Sequence, residues 1–500
     1  MKKNIFLLIT TVFLLGSCQD FLEEKPVDRL TQYNFYSSAD DAIAGVNAIY
    51  SKLWGGYYER DIQLMTDVTC DDVKNGGGMQ NAFLQDLEFL RYTPDNKFIT
   101  SVWAYGYDMA NKANVAINNI SDEEHLIIDE DLRKRLLGEA RFLRGLDYFN
   151  MVRFWGSIPL ILKIENMDDM YQQPASEAEI YEQIIEDLSY ASANLPYKYN
   201  EKDYGRVTKG AAQITLGKVY LTLERWQDCA DILSEVVNNE ATYGYGLMDD
   251  YKDNFRVETQ HGIENVLGID YTDPPVGNGN KLMQADAPKY SIIKIHKLPG
   301  LKAGWESEIP SMETYNLFDS MDERKDATFR FEFYGPKNHK VYKTDKPMIA
   351  KYFEDFELSA KNGDLDFMII RYSDALLMLA EALNELSRTT EAEAILNRLR
   401  ERAFNDTNHN YNGLSQQDFR EAVWLERRLE FVHEGQRWFD LKRTHRFVDR
   451  MKAYGLAEFT LTGEIQKKEI TQNASDKFYL FPVPQRELDL NPSLKQNPGY

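Results

Sequence analysis

The stretch TKGAAQITLGKVYLTLERW spans residues 208–226 and is the part of this sequence that decides the fold class. Apolar and small residues recur in it at helical spacing, and the pattern resumes after Trp226 and continues to Glu240. Gly217 is small enough to let two helices approach each other closely. A helix, a short turn and a second helix over about 34 residues resemble one tetratricopeptide unit.

Two other segments carry the same pattern. Residues 371–402 repeat it with Leu379, Leu383 and Leu396 at similar offsets, and residues 132–195 form a looser copy. The intervals between these units are long, so the chain is not a clean tandem array. The sequence therefore predicts a mostly α protein, a tetratricopeptide-like helical-repeat scaffold with long loop-rich insertions and a few short strands.

Periodicity predicts further helices, and local signals mark some of their ends. The predicted ranges are 40–53, 99–120, 130–154 and 176–195. Ser176 and Glu179 have the spacing of a capping box at the start of the last range, and Pro196 ends it.

The largest interruption of the helical pattern covers about residues 241–345. It includes the loop-like stretches TDPPVGNGN (272–280), LPGLKAGWESEIPS (298–311) and YGPKNHK (334–340). Glycine, proline and asparagine punctuate short aromatic and β-branched pieces there, which predicts loops and small sheets. A second irregular stretch, DVTCDDVKNGGGMQN, covers residues 67–81. Long loops on a rigid scaffold commonly carry binding function.

The N-terminus has the order of a lipoprotein export signal. A basic head, Met1 to Lys3, precedes an apolar run over residues 5–15, which is too short to span a bilayer. The run ends in LLGSC, which resembles the bacterial lipoprotein box and implies cleavage before Cys18 and acylation of that residue. We expect residues 1–17 to be a signal peptide, residues 18–36 an acylated tether and lead-in, and residues 37–500 one domain that contains the insertion. Acyl chains would then hold the protein on a membrane.

Composition excludes several classes of protein. The chain has 500 residues, of which 43% are apolar, enough for a large core. Its formal charge is −22, and about −24 without Lys2 and Lys3, which makes it a poor candidate for binding nucleic acid. Besides Cys18 only Cys70 and Cys229 remain; the sequence leaves open whether they pair, but they are far apart in sequence and disulfides do not build the fold.

Motifs of catalysis and metal binding are missing from the sequence. The seven histidines are scattered, and there is no His-Glu-x-x-His helix, no Gly-x-Ser-x-Gly elbow, no phosphate loop and no paired CxxC. We therefore expect no catalytic residues and no metal site. No cofactor is expected either, although the sequence leaves a structural calcium ion open.

Carboxylate pairs need separate weighing because a glycosidase requires only two acids. The densest group lies in ERRLEFVHEGQRWFDLKR (426–443), a predicted helix in which Glu426, Glu430 and Glu434 are spaced four apart and so share one face. Arginines stand close to them in sequence: Arg427, Arg437 and Arg443. Arginine keeps a carboxylate ionised, which suits a structural network better than a general acid. The pattern predicts an inter-helix array of salt bridges.

Aromatic side chains are the remaining candidates for contacts with a ligand. Sugar rings stack on Trp and Tyr, while Asp, Asn and Arg take the hydroxyl groups. Trp103, Trp155, Trp226, Trp424 and Trp438 lie on helical patterns and are predicted to be core residues. Trp305 lies in a glycine-flanked loop, where a tryptophan either packs the loop onto the body or contacts a ligand, and it is the best candidate for a stacking platform. The other candidate ligand-binding residues come from residues 54–81: Trp54, Tyr57, Tyr58, Asp67, Asp71, Asp72 and Asn75.

Several stretches in a fixed order resemble one family. They are the lipobox, EARFLRGLDYFNMVRFWGSIPLI (139–161), TKGAAQITLGKVYLTLERW (208–226), RYSDALLMLAEALNE (371–385), ERRLEFVHEGQRWFDLKR (426–443) and LFPVPQRELDLNPSLKQNPGY (480–500). Together they resemble the SusD/RagB family of Bacteroidetes outer-membrane lipoproteins, over nearly the whole chain.

The resemblance implies a function and a location. It implies a helical fold with four tetratricopeptide-like units, exposed on the cell surface, with Asp20, Glu23 and Glu24 after Cys18 resembling the export signal of the family. It implies capture of glycan oligosaccharides without cleavage, and a SusC-like TonB-dependent transporter as the partner that the lipoprotein covers as a lid. Ligand residues vary within the family, so those named above rest on loop position.

Two other functions stay open at this point. A surface glycoside hydrolase would need two carboxylates facing one cleft, one of them with a raised pKa. A scaffold or peptide-capture lipoprotein of the same fold would use its repeat helices instead. The identity of the ligand stays open under each of them.

Overall fold

Helices account for most of the structure, a computed structural model that describes residues 35–54, 57–76, 81–163, 171–272, 279–282, 285, 305–334, 341–352 and 363–500. The predicted signal peptide, the acylation site Cys18 and the tether up to residue 34 lie outside the described residues, as does about a third of the predicted insertion. Among the described helices, none is long and apolar enough to cross a lipid bilayer.

Eighteen α-helices are described. In chain order they are α1 (Ala39–Tyr50), α2 (Gln63–Asp67), α3 (Ala82–Glu88), α4 (Lys97–Ile120), α5 (Glu130–Trp155), α6 (Glu177–Asn194), α7 (Lys209–Thr222), α8 (Trp226–Asn238), α9 (Glu240–Tyr243), α10 (Met312–Leu317), α11 (Arg324–Thr328), α12 (Tyr372–Glu385), α13 (Thr389–Phe404), α14 (Gln416–Glu430), α15 (Arg437–Arg443), α16 (Phe447–Thr462), α17 (Lys467–Asn473) and α18 (Gln485–Leu490). The mostly helical class predicted from the sequence is confirmed.

The long helices pack in sequence order, as expected of a helical repeat. Helices α4 to α8 each contact the next one, α8 then contacts α12, and α12 contacts both α13 and α14. At the α7–α8 contact, a Cβ atom at Gly217 would lie 2.7 Å from the Leu233 side chain. The predicted close approach at Gly217 is confirmed, since any larger residue would push the two helices apart.

Local signals set the helix ends. The Ser176 hydroxyl accepts the Glu179 backbone N–H, and the Glu179 carboxylate accepts the Ser176 backbone N–H. This reciprocal pair is the predicted capping box, and it satisfies backbone donors that have no partner inside the first turn. Asp129 caps α5 in a similar way, and Thr208 caps α7.

Within the described residues, six short strands form three two-stranded antiparallel sheets. They are β1 (Val73–Asn75), β2 (Asn265–Ile269), β3 (Glu308–Pro310), β4 (Phe329–Tyr334), β5 (Val341–Ile349) and β6 (Phe367–Arg371), and the pairs are β1 with β3, β2 with β6, and β4 with β5. Each of the pairs β1–β3 and β2–β6 joins segments that are far apart in sequence. These two pairs position the sites described below.

The core contains most of the tryptophans that helical periodicity assigned to it. Trp103, Trp155 and Trp438 are buried, whereas Trp226 and Trp424 are partly buried against the core. The C-terminal segment returns to α5, where the Trp155 indole N–H donates to the Pro482 carbonyl at 3.0 Å. Cys70 and Cys229 are both buried and form no disulfide, which settles the pairing that the sequence left open.

Candidate functional site

The two irregular stretches selected from the sequence meet at one corner of the molecule. Strand β1 pairs with β3 so that Val73 faces Pro310 and Asn75 faces Glu308, and the Gly76 N–H donates to the Ser307 carbonyl. A Cβ atom at position 76 would lie 2.5 Å from the Glu306 carbonyl oxygen. Glycine is therefore required there for the two backbones to approach. We call residues 73–76 and 305–310 the β1–β3 corner.

Two of the predicted ligand-binding residues belong to this corner. Asn75 and Trp305 are both partly exposed. Trp305 lies two residues before Ser307, so its backbone continues directly from the paired strands. The remainder of both loops, residues 77–80 and most of 273–304, lies outside the described residues. The strand register therefore places the best predicted aromatic residue and a polar candidate at the same end of the strand pair.

The aromatic residues of the segment 54–58 divide into exposed and buried ones. Trp54 is 37% exposed, as predicted. The predicted exposure of Tyr57 and Tyr58 is wrong, because both are buried in the core. The Tyr57 hydroxyl donates to Asp147 at 2.6 Å. The two rings follow a glycine pair in sequence but turn inward to satisfy buried polar groups of α5.

The predicted polar partners Asp67, Asp71 and Asp72 are buried as well, so they are corrected from ligand-contacting to structural positions. Arg437 holds Asp71 through two hydrogen bonds of 2.8 and 3.0 Å, with Arg428 and Arg450 also paired to it. Burial alone would raise the pKa of Asp71, but these guanidinium groups outweigh burial and hold it well below the usual range.

Asp72 and Asp67 are held inside in different ways. Arg428 donates to Asp72 at 2.7 Å. Asp67 accepts the Gly435 N–H at 3.2 Å, and its second oxygen lies 3.6 Å from His433 Nδ1. Burial raises the pKa of Asp67 to about 7. None of the three carboxylates has the solvent contact that a sugar hydroxyl would need.

Glu426 and Glu430 of α14 belong to a buried ionic cluster, and the predicted inter-helix array of salt bridges is confirmed. We call the cluster the arginine core; it comprises Glu264, Arg324, Lys351, Arg371, Arg402, Glu426, Glu430 and Glu434. Arg371 contacts Glu430 and Glu434 at 2.8 Å and Glu264 at 2.6 Å.

Two details of that prediction are wrong. Helix α14 ends at Glu430, so Glu434 does not share its face. The arginines nearest in sequence also have other partners: Arg427 pairs with Asp374 and Asp440, Arg437 with Asp71, and Arg443 with Glu381 and Asp440. Burial alone would raise the pKa of Glu430, but guanidinium groups from other elements outweigh it and hold the pKa well below the usual range. Such a residue is a structural anion, unsuited to general acid catalysis.

A second aromatic surface lies at the end of the α6–α8 helices. A cavity of about 240 Å³ is bounded by the segments 197–208, 243–245 and 261–270. We call it the tyrosine hollow. Tyr197 and Tyr204 are 41% and 42% exposed. The Tyr197 ring packs edge-on against Tyr243 with centroids 5.0 Å apart, and Tyr204 stacks on the His261 ring at 4.2 Å.

Polar groups line the same hollow. Arg206 is held by Glu139 and Asp203, both at 2.8 Å. Burial and the neighbouring Asp366 carboxylate raise the pKa of Asp270 to about 6. The hollow thus combines exposed rings with charged and amide groups. A sugar could also bind to this combination, because its C–H faces stack on rings and its hydroxyl groups bind polar groups.

Sequence reasoning missed the tyrosine hollow, although a signal was present. The stretch LPYKYNEKDYGR (195–206) carries three tyrosines between a proline and a glycine, and TYGYG (242–246) adds two more. Aromatic residues in such turn-rich connections have no helical face to bury. The histidine that completes the hollow, His261, was among those counted as scattered.

Comparisons with known proteins bear on the whole chain. The SusD family model matches residues 336–500, and a model described as starch-binding and associating with the outer membrane matches residues 20–221. A SusD-like protein of Formosa agariphila is 29% identical to this chain over 543 aligned residues that cover all of both proteins.

Solved structures agree with the fold. A SusD homologue from Bacteroides thetaiotaomicron superposes with a TM-score of 0.80 over 94% of this chain and 98% of that one, at 24% identity. A structure described as a laminarin-binding SusD-like protein superposes with a TM-score of 0.75 over 93% of this chain and all of its own, at 25% identity. From the two family models, the full-length relative and these folds together, we conclude that the chain belongs to the SusD/RagB family.

Proposed function

We propose that this protein is a surface lipoprotein that captures glycan oligosaccharides at the β1–β3 corner without cleaving them. It would deliver them to a partner SusC-like TonB-dependent outer-membrane transporter. The observation that carries the proposal is the pairing of β1 with β3. It joins the two stretches that composition marked as binding loops, and it brings the partly exposed Trp305 and Asn75 to one edge. An indole face stacks on the C–H face of a sugar, and an amide satisfies its hydroxyl groups.

The comparisons support a glycan as the ligand class. The laminarin-binding SusD-like structure covers 93% of this chain at 25% identity. The description of the model that matches residues 20–221 refers both to starch binding and to the outer membrane. Both observations favour a carbohydrate over a peptide as cargo.

The carboxylates in the tyrosine hollow favour binding over hydrolysis. A retaining glycosidase places two carboxyl groups about 5 Å apart, and both contact the sugar. Asp270 and Asp366 offer oxygens within 4.8 Å of each other. Asp366 is only 2% exposed, however, and the facing oxygens of both residues are covered by protein. Asp366 is therefore out of reach of a sugar in the hollow, and the pair does not present the two accessible acids that a glycosidase needs.

The proposed location rests on the N-terminal sequence. Acylated Cys18 would hold the protein on the outer membrane, and the acidic residues Asp20, Glu23 and Glu24 would direct it to the exterior. Fractionation of cells that express Cys18→Ala tests this: we expect the variant to leave the membrane fraction. A variant that stayed with the outer membrane would contradict the anchor.

Calorimetry tests the capture. The chain from residue 19 to 500 keeps every described residue, and it is titrated with oligosaccharides from laminarin, starch and other plant, host and microbial glycans. Each mixture is then examined by mass spectrometry for products. We expect saturable binding of one glycan class, no cleavage, and at least a tenfold weaker affinity in Trp305→Ala.

Tyr171→Ala is the matched control, because this ring is 47% exposed but borders a different cavity. It should bind as the unmodified chain does. Released products would overturn the non-catalytic reading. Unchanged affinity in Trp305→Ala would move the site away from the β1–β3 corner, and no binding to any glycan would contradict capture of carbohydrate.

A further inference from the structure

Three side chains with metal-ligating atoms converge beside the tyrosine hollow. His261 Nε2 lies 3.1 Å from Asp366 Oδ2 and 3.7 Å from Asp270 Oδ1. One ligand atom of each residue lies within 4.8 Å of the other two. His261 and Asp270 border the hollow and are partly exposed, whereas Asp366 is buried behind them.

The β2–β6 pairing builds this arrangement. Ile269 faces Phe367 in the antiparallel register, so Asp270 directly after β2 comes next to Asp366 directly before β6. Two further contacts hold the group in place. Gln260, the neighbour of His261, accepts the Asp366 backbone N–H at 3.0 Å, and Tyr204 stacks on the imidazole. The backbone register of β2 and β6 therefore sets the spacing between the two aspartates that carry the ligand atoms.

The described hydrogen bonds of this cluster do not satisfy all of its buried carboxylate oxygens. Asp366 Oδ1 accepts the Tyr271 N–H at 2.9 Å. Asp366 Oδ2 has only the His261 imidazole, at 3.1 Å, as a neighbouring donor, and Asp270 Oδ1 is buried and accepts no hydrogen bond from the described residues. Two neighbouring carboxylates repel each other, and one imidazole supplies at most a single positive charge. A divalent cation would bind both oxygens and balance the charge.

We propose that His261, Asp270 and Asp366 bind a divalent metal ion of the zinc class at the wall of the tyrosine hollow. One imidazole nitrogen with two carboxylate oxygens suits zinc, whereas calcium prefers ligand sets made of oxygen alone. Three protein ligands leave one coordination position open in a tetrahedral site. Because His261 and Asp270 border the hollow, water or a hydroxyl group of a bound molecule could take that position.

A second group of two carboxylates and one histidine is a less suitable metal site, but the metal titration has to distinguish it from the first. Asp67, Glu308 and His433 also offer atoms within 4.8 Å of one another. All three are buried, and Gly435 and Gln63 already contact Asp67 and His433. An ion would have to enter the protein core to reach them.

Metal titration separates these possibilities. The chain from residue 19 to 500 is treated with a chelator, dialysed and titrated with Zn²⁺ by calorimetry; Co²⁺ reports the coordination geometry by its visible spectrum. We expect one ion per chain and a rise in melting temperature on saturation. In His261→Ala and in the isosteric Asp366→Asn, affinity should fall at least a hundredfold.

The control is His409→Ala, which removes a histidine paired with one aspartate, Asp406, at 2.9 Å. It should bind Zn²⁺ with unchanged affinity, as should Trp305→Ala, so that this result is independent of glycan capture. Absence of saturable binding would overturn the proposal. So would full affinity in His261→Ala, or a loss confined to His433→Ala, which would assign the ion to the buried group.

Discussion

The arginine core and the tyrosine hollow both contain neighbouring carboxylates, but their charges are balanced in opposite ways. In the arginine core, Glu430 and Glu434 share Arg371, and further cations contact them from other elements. In the tyrosine hollow, Asp270 and Asp366 share only the imidazole of His261 among the described cations. The first region is closed to solvent, while the second has exposed rings.

The difference distinguishes scaffold from site in this fold. Buried carboxylates that are each matched by guanidinium groups cost stability when a partner is removed, and they have no capacity left for a ligand. Carboxylates that share a single imidazole, next to exposed aromatic rings, retain that capacity. Counting acidic residues in the sequence gives no access to this distinction, because it depends on which cations reach them.

Removing Arg371 should produce the largest effect. Arg371→Met leaves Glu264, Glu430 and Glu434 buried without the cation they share, and breaking a buried ion pair costs about 3–5 kcal/mol. Chemical denaturation of the chain from residue 19 to 500 measures the free energy of unfolding. Arg388→Met is the control, since Arg388 forms an exposed pair with Glu391 and its loss should leave the free energy of unfolding almost unchanged. Equal losses in the two variants would contradict the assigned role of the arginine core.

A larger residue at Gly217 should have the next largest effect. Gly217→Val places a Cβ atom 2.7 Å from Leu233 and should destabilise the α7–α8 contact by about 1–3 kcal/mol. Leu233→Ala makes room, so the same substitution should cost less in that background, and a double-mutant cycle measures the coupling. If the losses of unfolding free energy in the two single variants simply add in the double variant, contact with Leu233 is not the reason that position 217 requires a small residue.

These two residues also show how far the sequence could predict the structure. Gly217 and the capping box at Ser176 were predictable because their signals lie within one helix pair or one turn. Arg371 and Glu264 are separated by 107 positions, and their contact follows from the β2–β6 pairing. No local pattern specifies that register, so the arginines nearest in sequence were assigned to the wrong acids.

The sites were predictable to different degrees for the same reason. Loop composition selected both strands of the β1–β3 corner, but it could not show that Tyr57 turns inward to Asp147. The tyrosine hollow needs three segments that meet only after α7 and α8 have packed. His261 acquires its aspartate neighbours only when β2 pairs with β6.

A partly buried cation that forms no ion pair with a described residue should respond to pH. Lys442 donates to the Arg153 carbonyl, and burial lowers its pKa to about 7. Between about pH 7 and 10 the unfolded chain binds a proton that the folded chain lacks, so this lysine makes stability rise with pH, by up to about 1.4 kcal/mol per unit. Lys442→Met should remove that slope. The measurement is the difference in unfolding free energy between the two proteins at pH 7.5, 8.5 and 9.5, and parallel curves would contradict a lowered pKa.

The smallest loss of stability is expected where the rings are exposed. Tyr204→Ala removes a side chain that is 42% exposed and touches the His261 ring, so unfolding should become easier by less than about 1 kcal/mol. Tyr148→Ala is the buried counterpart, since the Tyr148 hydroxyl donates to the Ile161 carbonyl and accepts the Ile161 N–H, and it should cost about 3–5 kcal/mol. Denaturation curves compare the two losses directly. If Tyr204→Ala lost as much unfolding free energy as Tyr148→Ala, the Tyr204 ring would belong to the scaffold. The exposed rings of the hollow would then not indicate a surface that is available to a ligand.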